Sequence, residues 1–367
     1  MPRLAYWLSA AFFAALVLAK FDPQTGFTSL IRFGEKQPAP RLAEIESVWL
    51  ALAPDSSGYD GQFYAQIALD PTLRHPGLAA ALDAPAYRAR RILAPATAFA
   101  LGLGRRAWIL QIYALLNVAC WFALAILLYR EIGPASATAF ARWSACLFSL
   151  GVLDSVRQSL VDLPALLLLV VAVRSTSTAP SRPPLLWCTL GHLAKETNLL
   201  ASLALTAAPG PNRRRLVIFA LSAVPLVLWM GYVNFRFPAS GESGFGNFTW
   251  PLLGALQQLQ MSARAISAGD FDPRHTFALL AVLGFGVQCA VLLICRSLAN
   301  PWWRIGAAYG ALLLVLGPWV WSGYWAACRA VLPLTVAFNL LLPANRAFWP
   351  LWILGNLTLL HGIWRFL

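Results

Sequence analysis

The residues best suited to chemistry lie in Gly58-Tyr59-Asp60-Gly61-Gln62-Phe63-Tyr64-Ala65-Gln66-Ile67-Ala68-Leu69-Asp70-Pro71. Gly58 and Gly61 flank Asp60, which places its carboxylate at a turn where a helix begins. Phe63, Ile67 and Asp70, with Tyr64 and Ala68, follow helical spacing, and Pro71 stops the run. Two readings of Asp60 are open. It caps the helix, or it is held at the helix start as a base for a hydroxyl proton. Tyr59, Gln62, Tyr64 and Asp70 stand beside it as substrate-contact candidates, Asp70 having the alternative of simply ending the helix before Pro71.

A second group consists of ionisable residues set in apolar surroundings. Arg157 and Asp162 fall in Asp154-Ser155-Val156-Arg157-Gln158-Ser159-Leu160-Val161-Asp162, a polar link between two apolar runs. The alternative there is a local ion pair at a span end. Lys195 and Glu196 interrupt the apolar stretch 184–208, and charges inside such a stretch are functional by default in a membrane. As immediate neighbours they would not face each other on a helix. Arg329 begins an apolar run; Arg90 and Arg91 precede Pro95. A guanidinium is a planar, always-charged donor fork suited to phosphate, whereas snorkelling or interfacial anchoring needs no ligand. The four histidines show no H-x-x-x-H, and the six cysteines no C-x-x-C. They read as buried polar and small apolar groups, with neither zinc site nor disulfide. No G-x-x-x-x-G-K-[ST] loop is present. The Gly-rich, aromatic stretch 241–248 reads as a loop, with a flap over an acceptor as the alternative.

The elements that position these residues follow from composition. Of 367 residues, 59% are hydrophobic and only 12% charged, and the mean hydropathy is +0.63. Such a chain cannot cover a soluble surface, which excludes a soluble enzyme and a disordered chain. The net charge of +13 comes mainly from arginine. In this setting it reads as positive-inside loops and headgroup contacts rather than nucleic-acid binding.

The fold expectation is an all-α, polytopic transmembrane bundle forming one integral membrane domain over 1–367. About ten spans are predicted, at 4–19, 107–129, 135–153, 159–173, 184–208, 216–233, 276–295, 302–321, 325–342 and 347–366. The stretch 184–208 has basic loops at both ends, so a broken or re-entrant pair of short helices is expected, with Lys195 and Glu196 near the outer surface. A long first outer loop covers 21–106 and carries eight of the fifteen acidic residues, with 91–104 as an interfacial helix. A second outer loop covers 234–275. The 16 tryptophans fall near span ends, as an aromatic belt requires.

The run Tyr59-Asp60-Gly61-Gln62-Phe63-Tyr64, continued by Ile67-Ala68 and Asp70-Pro71, resembles the first-loop motif of GT-C superfamily glycosyltransferases. It is most similar to bacterial proteins that resemble GPI mannosyltransferases. Tyr87-Arg88-Ala89-Arg90-Arg91-Ile92-Leu93-Ala94-Pro95 is similar to the same group. The motif match covers about forty residues, and the layout match covers the whole chain. The resemblance implies transfer of a hexose, with mannose as the candidate, from a polyprenyl-phosphate donor to a surface glycan or lipid-linked acceptor. It places the active site on the periplasmic or outer face of a bacterial plasma membrane and Asp60 as the base. Many members carry a second acidic residue; Asp55, Asp70 and Asp162 are the candidates here. No cofactor is required by these residues, and a divalent metal stays open. Arg157, Lys195 and Arg329 are the expected phosphate contacts. A lipid-linked-sugar flippase would need interruptions in both halves, and a glycan polymerase or ligase would use the late loop with Arg236, Arg264 and His275.

Overall fold

The computed structural model describes residues 2–178, 184–206, 213–238 and 244–367. The expected basic loop residue Arg182 and residues 241–243 of the Gly-rich stretch lie outside them. The chain is all-α. Among the described residues the one sheet is a two-residue parallel pairing of Phe33–Gly34 with Leu52–Ala53.

Three helices are long and apolar enough to cross a membrane: Arg106–Ile132, Arg215–Arg236 and Pro273–Ile294. Two bent pairs bring this to five if each is one span. Ala137–Leu147 with Leu150–Arg157 bends by 42°, and Tyr324–Ala330 with Leu332–Leu341 by 64°. The other apolar runs of the ten expected do not form single long helices. Pro2–Leu18 and Asp162–Thr178 have 17 residues each, about 25 Å against a hydrocarbon core of about 30 Å. The run 302–321 breaks at Leu316 and Gly317, both extended, before Pro318. The run 347–366 breaks at Asn356, between Phe348–Gly355 and Leu359–Phe366. There Gln288 Nε2 donates to the Gly355 carbonyl at 2.7 Å, and Asn339 and Asn356 exchange amide hydrogen bonds at 3.0 and 3.1 Å. Such bonds satisfy the backbone and side-chain groups that an interruption frees.

The stretch 184–208 is broken where its charges predicted. Leu185–Ala194 and Asn198–Thr206 are separated by Lys195 in an extended conformation. The segment 234–275, expected as a loop, contains the helix Leu253–Ser267. Its buried stripe is Gly254, Gln258 and Ser262, with Gln258 Nε2 bonded to Ser262 Oγ at 3.0 Å. A helix that buries small and polar residues leaves no apolar period to detect.

The core around Arg106–Ile132 is aromatic. Phe13 stacks on Trp121 at 3.8 Å, and Tyr6 meets Tyr129, Phe140 and Trp143 edge-on. Trp121 and Trp143 donate to the Leu147 and Ala125 carbonyls, so these two serve the interior rather than a belt. All six cysteines are free.

One close approach fixes the site's position. A Cβ on Gly61 would collide with the Gln158 carbonyl oxygen and crowd that of Ile31. Only glycine lets these three segments meet.

Candidate functional site

The helix Gly61–Leu69 forms as its spacing predicts, behind Gly58 with φ of +82°. Asp60 makes no capping bond. Its Oδ1 accepts from Arg88 Nη2 at 2.8 Å instead, so the capping reading fails. Oδ2 has no hydrogen-bond partner among the described residues. Arg88 is in turn gripped by Asp83, through Nε to Oδ1 at 2.9 Å and Nη2 to Oδ2 at 2.6 Å.

Asp60 faces a cavity of about 830 Å³ that gathers nine of the twelve sequence candidates: Tyr59, Asp60, Tyr64, Arg90, Arg91, Asp162, Lys195, Glu196 and Arg329. Glu196 takes both arms of Arg91, at 2.9 Å to Nε and 2.7 Å to Nη2. Arg91 also donates to the Tyr64 and Tyr87 hydroxyls at 2.9 and 2.8 Å. Arg90 lies over the Tyr87 ring, with Nε 3.6 Å from Glu196. Lys195 donates to Asp162 at 2.5 Å. The break in 184–208 thus sends its two charges to different partners, Asp162 and Arg91. Arg329 donates to the Tyr59 hydroxyl at 2.7 Å, with its Nη1 3.8 Å from Asp162 and its Nε 3.4 Å from Asp154.

The cavity lining carries five cations (Arg88, Arg90, Arg91, Lys195, Arg329) and four carboxylates (Asp60, Asp83, Asp162, Glu196), a formal charge of plus one. Burial pushes the Asp60 carboxyl up, but Arg88, then Arg329, outweigh it and hold it below the usual carboxylate range. Burial pushes the Tyr59 hydroxyl up to about 12, despite Arg329, so it is a neutral phenol at pH 7. The lining also includes apolar residues, Leu160, Val161, Leu312, Leu316, Trp319 and Val320.

No protein-family model matches the chain, nor does any curated protein or solved structure.

Three candidates lie elsewhere. Gln62 is a buried tether, accepting from the Gly34 amide at 3.0 Å and donating to the Ser57 carbonyl at 2.9 Å. Asp70 closes the turn after its helix, accepting from Thr72 Oγ1 and from the His75 amide. Arg157 is outside the cavity. The late-loop candidates are also elsewhere: Arg236 donates to the Leu73 carbonyl, and His275 sits beside Asp270. Arg88, Asp83 and Tyr87 were not singled out from the sequence. One signal was present: Tyr87 and Arg88 open the Tyr87–Pro95 run that carries part of the resemblance, although Arg91 lies beyond the end of the helix Pro85–Ala89. Among the described residues no group of three or more His, Cys, Asp or Glu could hold a metal ion.

Proposed function

We propose that the protein is a membrane glycosyltransferase acting on a polyprenyl-phosphate-linked sugar, with Asp60 as base. The observation that supports this reading is one cavity lined both by arginines beside a free carboxylate oxygen and by apolar side chains. A lipid-linked sugar phosphate combines an anionic and an apolar part, and a ligand site needs a few placed polar groups in an apolar frame. In the proposed step the acceptor hydroxyl loses its proton to Asp60 Oδ2 and attacks the anomeric carbon with inversion. The bond from that carbon to the phosphate oxygen breaks, and the phosphate leaves with the electron pair, towards Arg91, Lys195 and Arg329.

The depressed Asp60 carboxyl is ionised at neutral pH but a weak base. A bound phosphate adds negative charge beside the same guanidiniums and raises its proton affinity, so the base strengthens once the donor is seated. The finer architecture belongs to the same proposal. It is a GT-C-like bundle of about ten crossings in a bacterial plasma membrane, with the short helices pairing into spans. Residues 21–106 would lie on the outer face, where a surface glycan or lipid-linked saccharide is the acceptor.

The test is purified protein with a panel of polyprenyl-phosphate sugars, comparing wild type with Asp60→Asn. We expect transfer to fall by about 10²- to 10⁴-fold. Transfer unaffected by Asp60→Asn would sink the mechanism. Movement of the lipid-linked sugar across a vesicle membrane without turnover would identify a transporter.

A further inference from the structure

Arg157 was expected at a phosphate, and its surroundings point to one that the cavity does not hold. We propose that Lys20, Arg32, Arg157 and Arg365 form a second phosphate-binding site, separate from the cavity, for a phosphate group presented by a lipid headgroup or by free phosphate. This inference does not depend on glycosyl transfer.

The four cations come from distant parts of the sequence, and the backbone draws them together. The Ile31 and Gln158 carbonyls, each next to one of the arginines, both meet Gly61, and Ser159 Oγ donates to the Leu30 carbonyl at 3.0 Å. Lys20 accepts from Ser29 Oγ through its carbonyl and reaches the Leu367 carbonyl with Nζ at 2.8 Å. Arg365 lies 3.3 Å from Asp154, one helical turn before Arg157. Lys20 is within electrostatic reach of Arg157 and Arg32, and Arg157 of Arg32 and Arg365.

Their charge is not balanced. Among the described residues the one carboxylate side chain near them is Asp154, which faces Arg157 and Arg365 and already serves Arg329, while Lys20 has the Leu367 backbone oxygen. Arg32 and Arg157 are half-buried, and their guanidiniums have no hydrogen bond, ion pair or ring contact among the described residues. Arg32 also sits at φ of +62°, a costly conformation for a residue with a Cβ, held by the Tyr59 amide on its carbonyl at 3.1 Å. Two guanidiniums kept partly out of water without an acceptor are poised for an oxyanion, and arginine's donor fork fits phosphate. The apolar residues beside them are open: Leu18 is 64% exposed, Phe21 53% and Trp364 60%. Acyl chains have a surface to lie on where a headgroup would dock. None of the four cations lines the cavity. Trp325 stands between, under Arg365 at 4.5 Å and bonded to the Tyr59 hydroxyl at 2.9 Å.

The experiment uses the full chain in detergent and three probes: dioleoyl-phosphatidylglycerol, dioleoyl-phosphatidylcholine and inorganic phosphate. Binding is read by native mass spectrometry and titration. We expect the phosphatidylglycerol to be retained over the phosphatidylcholine. Arg32→Gln with Arg157→Gln should weaken it by about tenfold or more, while the paired lysine substitutions keep most of the binding. Arg157→Gln alone, with its fold checked by unfolding temperature, should show a smaller loss in the same direction. If millimolar inorganic phosphate does not displace the lipid, the headgroup is the source. If inorganic phosphate binds by itself and loses affinity in the double variant, free phosphate is the source. Equal retention of the two lipids without phosphate binding would overturn the proposal, as would unchanged binding by the double glutamine variant.

Discussion

The cavity and the Lys20–Arg32–Arg157–Arg365 cluster use the same side chains to opposite effect. In the cavity each cation has a carboxylate within 4 Å: Arg88 has Asp60 and Asp83, Arg90 and Arg91 share Glu196, and Lys195 and Arg329 reach Asp162. At the cluster only Arg365 has a carboxylate within 4 Å among the described residues, and that carboxylate, Asp154, is shared with Arg329. Pairing fixes a guanidinium in direction and removes most of its free charge, so the cavity's arginines are oriented before any ligand arrives. The unpaired ones retain charge at the cost of mutual repulsion. Half-burial alone therefore does not mark an arginine as a binding residue; its partners decide.

Breaking the pairing in the cavity should have the largest structural effect. Glu196→Gln leaves Arg91 buried without its counter-charge and should cost about 3 kcal/mol of stability, read as a lower unfolding temperature in detergent. An unchanged unfolding temperature would mean that water reaches Arg91 freely.

A smaller effect is expected at the carboxylate itself. Arg88 is the strongest influence holding the Asp60 carboxyl down. Arg88→Gln should therefore move the acid limb of kcat/KM to higher pH, since Asp60 then takes its proton sooner as pH falls. The neutral-pH rate should drop on the order of tenfold, by loss of a charged hydrogen bond. An acid limb that stays in place would assign that limb to another group.

The smallest effect belongs to the cluster. Arg157→Gln removes a charge with no partner among the described residues, so stability should stay within about 0.5 kcal/mol of wild type. A clear loss in thermal unfolding would show that Arg157 has a structural role and would erase the contrast.

Local features were legible in the sequence. The helix after Asp60 was visible in Gly58, Gly61 and Pro71. The interruption at Lys195 was visible because two basic flanks could not share one continuous span. Nine candidates meet in one cavity because the charged residues of so apolar a chain have few places to be satisfied. What stayed hidden depends on contacts far apart in sequence. Hydropathy counts apolar residues, not the turns within them, so Gly317-Pro318 and Asn356 passed inside apparent spans. Gln62 looked like a substrate contact because nothing in the sequence reveals that the Gly34 amide, 28 residues earlier, needs an acceptor. The sequence left Asp60 the alternative of capping its helix, and only Arg88 in place decides against it.

Gly61 also sets how this protein could be redesigned. Because no side chain fits between the Ile31 and Gln158 carbonyls, the position next to Asp60 is closed to substitution. Trp319, which lines the cavity and is 81% exposed, carries no such restriction. If the cavity takes a lipid-linked sugar as proposed, directed evolution towards a different one should find its gains at such exposed lining positions, while Gly61 stays an invariant datum against which every new pocket is shaped.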